Sequence, residues 1–492
     1  MPNTFFGLNI GTLGIHAANA NLNVTANNIA NEYTKGYSRQ VANQQATTAI
    51  RVHQKYGMIG SGVEVTSVER IRNEYYDVKY QENQTRLGEN SSRYYYMLKL
   101  EDLFNESKVD GFTEEFDNLY NSIEELKKDP SDLTTRNSYL NYAESFLEYL
   151  QEIKTDLKLE QEDLNAEISN NVNKINSLAE EIASINKQIN VVELTGANAN
   201  ELRDRRSVLL DELSEIVDIS TTETKYENGK SEFTVKIGGS TLVNNFDYYT
   251  LKVETRDESA NPEDVVGLYD IYWSHGQEFN PVKLGVGGTL KGLLEVRDGN
   301  NGTVTGSQYS YAVEYKGVPY YINQVNEFLD SFTAALNEVH AKGTNLYGDS
   351  TQDIPVFVKS DQGKYTINPD IKDDPKLLAT SYDYTDGVSQ YDLVDELLAT
   401  KNANVYNGGT ASEFLQALVT DLAVDTRKAK TFTENYTNMQ TTIENQRQSI
   451  MGVDKDEEAM NLVKFQEAYN LNSKVISVMA EIYDKLIQET GV

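Results

Sequence analysis

The chain has 492 residues, with 76 acidic against 44 basic side chains and a formal charge of −32. That balance excludes the clustered Lys and Arg that hold nucleic acid or anionic lipid, and no stretch is long and apolar enough to cross a bilayer, so neither nucleic acid nor membrane insertion is expected. Cysteine is absent, which removes disulfides, thiol nucleophiles and Cys-ligated zinc.

Residues 1–31 carry no Asp, Glu, Lys or Arg, and the first basic residue is Lys35. Asn punctuates the apolar positions throughout, so the segment does not read as a cleaved secretory signal. Phe6, Ile10, Leu13, Ala17, Ala20, Val24 and Asn27 alternate at spacings of four and three, the seam of a coiled coil. Leu8, Ile15, Leu22 and Ile29 repeat on a second face. A helix apolar on two sides and uncharged elsewhere expects neighbours all round.

Period-two patterns at 38–70 predict a β-hairpin region turning around Gly57, Gly60 and Gly62. Pro130 after Asp129 suits a helix start with Asp129 as its cap. From there Leu164, Ile168, Asn171, Ile175, Leu178, Ile182, Ile185, Ile189 and Val192 keep heptad spacing, and Leu147, Leu150 and Leu157 extend it backwards past polar Lys154 and Gln161. The strut turns near Gly196 and returns as a helix over 201–217. Residues 219–316 revert to period two, with EFTVKI, a Gly238–Gly239 turn, YTLKVE and LYDIYW. A helix is predicted from Pro319 to Ala341 and another from Ser412 to Ile450, with short strands and loops over 345–410. Gly452 ends the latter helix, and Asp454 with Glu457 forms a capping-box pattern opening a helix over 455–489. Its seam is Leu462, Phe465, Tyr469, Asn472, Ile476, Met479, Tyr483 and Leu486.

These elements predict a mainly α chain with inserted β structure, nested so that both termini share one domain. Residues 1–37 and 454–492 form a terminal coiled-coil domain, 38–218 and 317–453 a rod-like helical bundle, and 219–316 a β-rich inserted module. The ends are poor folders alone. Gly7, Gly11 and Gly14 each cost a helix roughly 1 kcal/mol. Full burial of each C-terminal seam residue returns about 1.5–3 kcal/mol, whereas ordering each of some thirty backbone positions costs about 1–2 kcal/mol. Such termini order against each other and against neighbouring subunits, which makes them a polymerisation device. The heptads at 147–192 read instead as ordinary intrachain core, and Asn27 and Asn472 on the seams either set helix register or face water.

No catalytic, cofactor or metal site is expected. Gly229–Ser231 lacks the first Gly of a phosphate loop, Thr224 standing there, and Gly285-Val286-Gly287 continues to Leu290 where a dinucleotide fingerprint needs Gly. Asp454, Asp456 and Glu458 mimic a calcium loop, but Ala459 and Phe465 replace its Gly and closing Glu. His16, His53, His275 and His340 are scattered.

The motif NVTANNIANEYTKGYSRQ, with Asn27, Asn28, Ile29, Ala30, Asn31, Thr34, Gly36 and Tyr37, resembles the N-terminal signature of flagellar axial proteins (rod, hook and hook-associated proteins). GVDKDEEAMNLVKFQEAYNLNSKVISVMAEIYDKLI resembles their C-terminal signature. Interior segments GVEVTSVERIRNEYYD, LEDLFN, GGTLKGLLEVRD and HAKGTNLYG are similar to the hook-associated members at the hook–filament junction. The resemblance implies a non-enzymatic, extracellular subunit, exported unfolded without a cleaved signal peptide. It implies terminal helices that line an inner tube, and as partners further copies of itself, the hook subunit, a second hook-associated protein with the filament, and an export chaperone at the C-terminal region. A hook or distal-rod subunit is the alternative within the group, and a surface filament with an enzymatic insert or a coiled-coil adhesin the alternatives outside it.

Overall fold

Two antiparallel helix pairs, meeting at residues 37–40, 70–77 and 447–458, carry both ends of the chain. The computed structural model describes residues 6–53, 57–104, 111–226, 231–303, 312–360, 363–385, 387–406 and 409–490; Gly229 and Lys230 of the phosphate-loop look-alike lie outside them.

In chain order the elements are α1 (Phe6–Ala30), β1 (Gln40–Ala46), β2 (Ile50–His53), β3 (Gly57–Ile59), β4 (Val63–Arg70), α2 (Glu74–Leu103), α3 (Phe112–Lys128), α4 (Leu133–Glu193) and α5 (Asn200–Ile216). There follow β5 (Ile219–Lys225), β6 (Ser231–Ile237), β7 (Ser240–Asn244), β8 (Asp247–Tyr248), β9 (Leu251–Thr255), β10 (Tyr269–Trp273), α6 (Pro281–Leu284), α7 (Thr289–Asp298) and α8 (Val318–His340). The chain closes with β11 (Phe357–Lys359), β12 (Tyr365–Ile367), α9 (Pro369–Asp373), α10 (Asp392–Ala399), α11 (Ala411–Met451) and α12 (Lys455–Thr490). The fold is mainly α with small inserted sheets, and both termini share one helical pair.

No Gly or Pro falls between Pro130 and Gly196, so nothing interrupts α4, whose 61 residues span about 90 Å. Its start differs from the sequence expectation. Asp129 closes α3 as its C-cap residue, and the N-cap position of α4 is Asp132. The three-residue step follows from Pro130, which cannot continue α3 and is followed by a turn. One face of α4 buries Leu147, Leu150, Leu157, Leu164, Ile168, Ile175, Ile182 and Ile189, all inside this chain. At its base Phe112, Phe116, Phe146, Phe328 and Phe332 join α3, α4 and α8 in an aromatic cluster.

Polar breaks in the α4 seam have partners. Gln161 donates to the Asp264 carboxylate and the Arg297 carbonyl and accepts from the Val265 amide. Asn176 exchanges two hydrogen bonds of 2.8 Å with the Leu251 backbone, and Asn190 exchanges two longer ones, of 3.0 and 3.4 Å, with the Ser231 backbone. Asn side chains on a helix thus stand in for a neighbouring strand and satisfy the strand backbone they face. The antiparallel sheet β5-β6-β7-β8 and the hairpin β9-β10 are held against the strut in this way.

Residues 281–298, which the period-two reading places within the β-rich module, form α6 and α7. Helix α7 crosses α2 closely, because Gly292 faces Ser92 and the Glu89 carbonyl while Gly88 faces the Thr289 hydroxyl, and the same Gly88 lets the Glu215 carbonyl of α5 approach α2. Gly288, at φ +110°, turns the chain into α7 directly over Ile216. Packing explains this Gly-rich segment without a phosphate.

Candidate assembly interface

Helix α1 presents a row of small residues rather than a row of large ones. Gly7, Gly11, Gly14, Ala18, Asn21 and Thr25 recur at spacings of four and three on one stripe. A Cβ at Gly7 would stand 2.7 Å from Met479 Cε, and one at Gly11 would stand 2.8 Å from Ile476 Cγ1. At Gly14 it would overlap the Asn472 carboxamide. The α12 residues fall as the α1 numbers rise, so the pair is antiparallel and its backbones approach across glycine. Asn472 also donates to the Ala468 carbonyl at 2.8 Å.

The predicted seam residues therefore divide. Ala17 is buried, whereas Phe6, Ile10, Leu13, Ala20, Val24 and Asn27 are half-buried one step around the helix. Ile10 and Leu13 approach Gly62, at the start of β4. On α12, Leu462, Phe465, Asn472, Ile476, Met479 and Tyr483 are half-buried, while Tyr469 and Leu486 are exposed. A second α12 stripe lies about 120° around the helix. It consists of Met460, Leu471, Val475, Val478 and Ile482, all exposed, with Met460 68% and Leu471 58% accessible. Among the described side chains of α12 beyond its acidic N-terminus, none is fully buried within this single chain.

The Asn-rich motif builds the joint below this pair. The Asn28 amide donates to the Gln40 carbonyl and its oxygen accepts from the Gln40 N–H, both at 2.9 Å. The Tyr37 hydroxyl donates to the same Asn28 oxygen at 2.8 Å and accepts from Asn27. Asn31 closes the last turn of α1 by donating to the Asn27 carbonyl, and Thr34 donates to Asn31. Gly36, at φ +79°, leaves room for Val208. Ile29 is half-buried and Ala30 exposed. Burial, reinforced by Glu201, Asp204 and Glu458, pushes the Tyr37 phenol up, so it remains a donor.

A layer of ion pairs then ties the joint to the rod. Asp204 of α5 accepts from the Ser38 amide at 2.9 Å, the Ser38 hydroxyl at 2.7 Å and Arg70 at 2.8 Å. Arg72 grips Asp77 with two bonds, and Arg447 of α11 bridges Asp77 and Asp211, each at 2.8 Å. Arg39 binds Glu458 and Glu457 at the start of α12, each at 2.7 Å. Burial alone lowers the Arg39 guanidinium pKa, but those two carboxylates outweigh it and raise it. Asp454 caps α12 by accepting from the Asp456 and Glu457 amides. Glu457 reaches Arg39, so the acidic run serves capping and the joint. Ser38 and Arg39 lie in the Asn-rich motif, but Asp204 and Arg447 stand in charged helices with no local signature.

A model for the flagellar hook-associated protein FlgK helical domain matches residues 97–355, and one for the flagellar basal body rod FlgEFG protein C-terminal matches residues 444–489. The chain is 28% identical to flagellar hook-associated protein 1 of Bacillus subtilis, with 100% of this chain and 99% of that one aligned. It is 24% identical to flagellar hook-associated protein 1 of Escherichia coli, over 98% and 99% of the two chains. The solved flagellar hook junction protein FlgK of Burkholderia pseudomallei aligns with a TM-score of 0.44 at 19% identity, over 57% of this chain and 47% of that one. With the helical-domain match spanning more than half of its residues and full-length alignment to these relatives, the chain belongs to the flagellar hook-associated protein FlgK family.

Proposed function

We propose that the chain is a structural subunit of the bacterial flagellum that joins hook to filament outside the cell, acting by assembly and not by catalysis. The observation that carries this reading is the second apolar stripe of α12, which one chain leaves in water. Covering Met460, Leu471, Val475, Val478 and Ile482 is favourable by about 25 cal/mol per Å² removed from water, and a neighbouring subunit supplies that cover in a tube wall. The charge of −32 keeps free subunits apart until a hook end aligns them. Export in an unfolded state, with a chaperone on the C-terminal region, keeps the same stripe from premature contact.

The test is complementation of a strain lacking the gene with the chain truncated after Lys455. The expected product is a soluble rod that leaves hooks bare of filament. Filaments restored by the truncated chain overturn the reading. Light scattering at low salt is expected to find monomers of the intact chain, and spontaneous polymers there count against it.

A further inference from the structure

Lys154 interrupts the apolar seam of α4, and its side chain is only 5% accessible. Its Nζ lies 2.6 Å from Asn326 Oδ1 on α8 and 2.9 Å from Glu263 Oε1. The triangle closes through Asn326 Nδ2, which donates to the same Glu263 Oε1 at 2.8 Å. Lys158 binds the other Glu263 oxygen at 2.8 Å. An amine, a carboxamide and a single carboxylate oxygen touching both nitrogens are the components of an amide exchange.

We propose that Lys154 and Asn326 form an intramolecular isopeptide bond, with Glu263 as its catalytic residue. The resting contact is an ion pair. Burial lowers the Lys154 pKa; burial also raises that of Glu263, but the hydrogen bonds and charges of Lys158 and Lys154 outweigh it and hold the carboxyl down at about 2, so Oε1 takes a proton from Nζ only transiently, as the amine is freed for attack. The Nζ lone pair attacks Asn326 Cγ, and the carbonyl electron pair moves onto Oδ1. Glu263 delivers its proton to Nδ2 and takes one from Nζ. The carbonyl re-forms as the Cγ–Nδ2 bond breaks, and ammonia departs, carrying the remaining proton away from Oε1. One C–N bond forms, one breaks, and no oxidant or activated reagent is consumed. Holding nucleophile, carbonyl and proton carrier in contact is the source of the rate, as in other intramolecular reactions.

The product links the long strut α4 to α8 across a stretch of chain that includes the β5–β8 sheet, β9, β10, α6 and α7. Such a link holds the helical rod against extension irrespective of the ion pairs around it.

The experiment is intact-mass spectrometry of the full-length folded protein, followed by peptide mapping. The expected mass is lower than that of the sequence by one ammonia, with a branched peptide joining the segments around Lys154 and Asn326. Glu263→Gln and Asn326→Ala are expected to keep the full mass. An unmodified wild-type mass after prolonged incubation overturns the proposal, whether or not the variants fold. So does ammonia loss that maps elsewhere, as at Asn301 before Gly302, where a succinimide gives the same mass change.

Discussion

Asn472 of α12 rests on Gly14 of α1 so closely that a single added methyl group would overlap its carboxamide. In an exposed helix, Gly→Ala stabilises by roughly 1 kcal/mol. Here the sign reverses, because overpacking a close contact costs about 1–3 kcal/mol and valine or leucine exceeds alanine. Gly14→Ala and Gly11→Val are expected to loosen α12 from α1, read as faster amide hydrogen exchange over residues 6–30 and 460–485. Protection equal to wild type in both variants shows that the glycine row is not the contact.

The difference between the expected seam and the packed one has a physical origin. Hydrophobic spacing marks Phe6, Ile10 and Leu13, yet the row turned to α12 is small. Glycine carries no hydrophobic signal and registers in a sequence only as a helix penalty. The same reason hides α2, whose buried positions include Asn83, Thr85, Gly88, Asn90 and Ser92. The strut α4 was legible because its buried positions are Leu and Ile, and α12 because its cap and heptads agree. Lys154 and Gln161 read as breaks in the seam because their partners, Glu263 and Asp264, lie about a hundred residues away in a loop. The ion-pair layer around Asp204 draws on α5, β4 and the Asn-rich motif, and such long-range pairing has no period.

Asn28 makes two hydrogen bonds to the Gln40 backbone and accepts a third from Tyr37. Asn28→Ala leaves buried groups unpaired, at about 1–3 kcal/mol for each group stranded. The expected result is a lower urea midpoint for the segment around residues 28–40, measured by hydrogen exchange. Asn28→Asp keeps the acceptor and loses the donor, so an intermediate loss is expected; equal losses for both variants contradict the double-bond geometry.

Asp204 faces two guanidinium groups and the Ser38 backbone with little access to water. Removing one partner of a buried ion pair strands the other and costs about 3–5 kcal/mol. Asp204→Ala is therefore expected to lower stability in chemical denaturation by that order, and Asp204→Asn by less, since an amide oxygen still accepts from Ser38. A change within about 0.5 kcal/mol, the range of neutral surface substitutions, shows that the layer contributes nothing.

His340 ends α8 in the core and accepts from the Ala379 amide through Nε2 at 3.0 Å. Burial pulls its pKa from 6.5 down to about 4. Above pH 6.5 both folded and unfolded chains carry a neutral ring, so its full contribution is present there. As pH falls from 6.5 towards 4 the unfolded chain takes the proton first, and about 2–4 kcal/mol is lost. Denaturation between pH 4 and 7 is expected to show this loss in the wild type and a shallower slope in His340→Gln. Identical slopes rule out the ring as the titrating group.

Val475 and Val478 separate folding from assembly. Both are exposed on α12, 43% and 47% accessible, away from the face that meets α1. Exchanging exposed residues for charged ones changes folding stability by no more than about 0.5 kcal/mol. Burying those charges against a neighbour costs far more, because each leaves water without a partner. The double variant Val475→Glu and Val478→Glu is expected to unfold at the wild-type urea concentration while failing to restore filaments in a strain lacking the gene. A variant that still builds filaments places the subunit contact on another face of α12; one that unfolds early places these residues in the chain's own core.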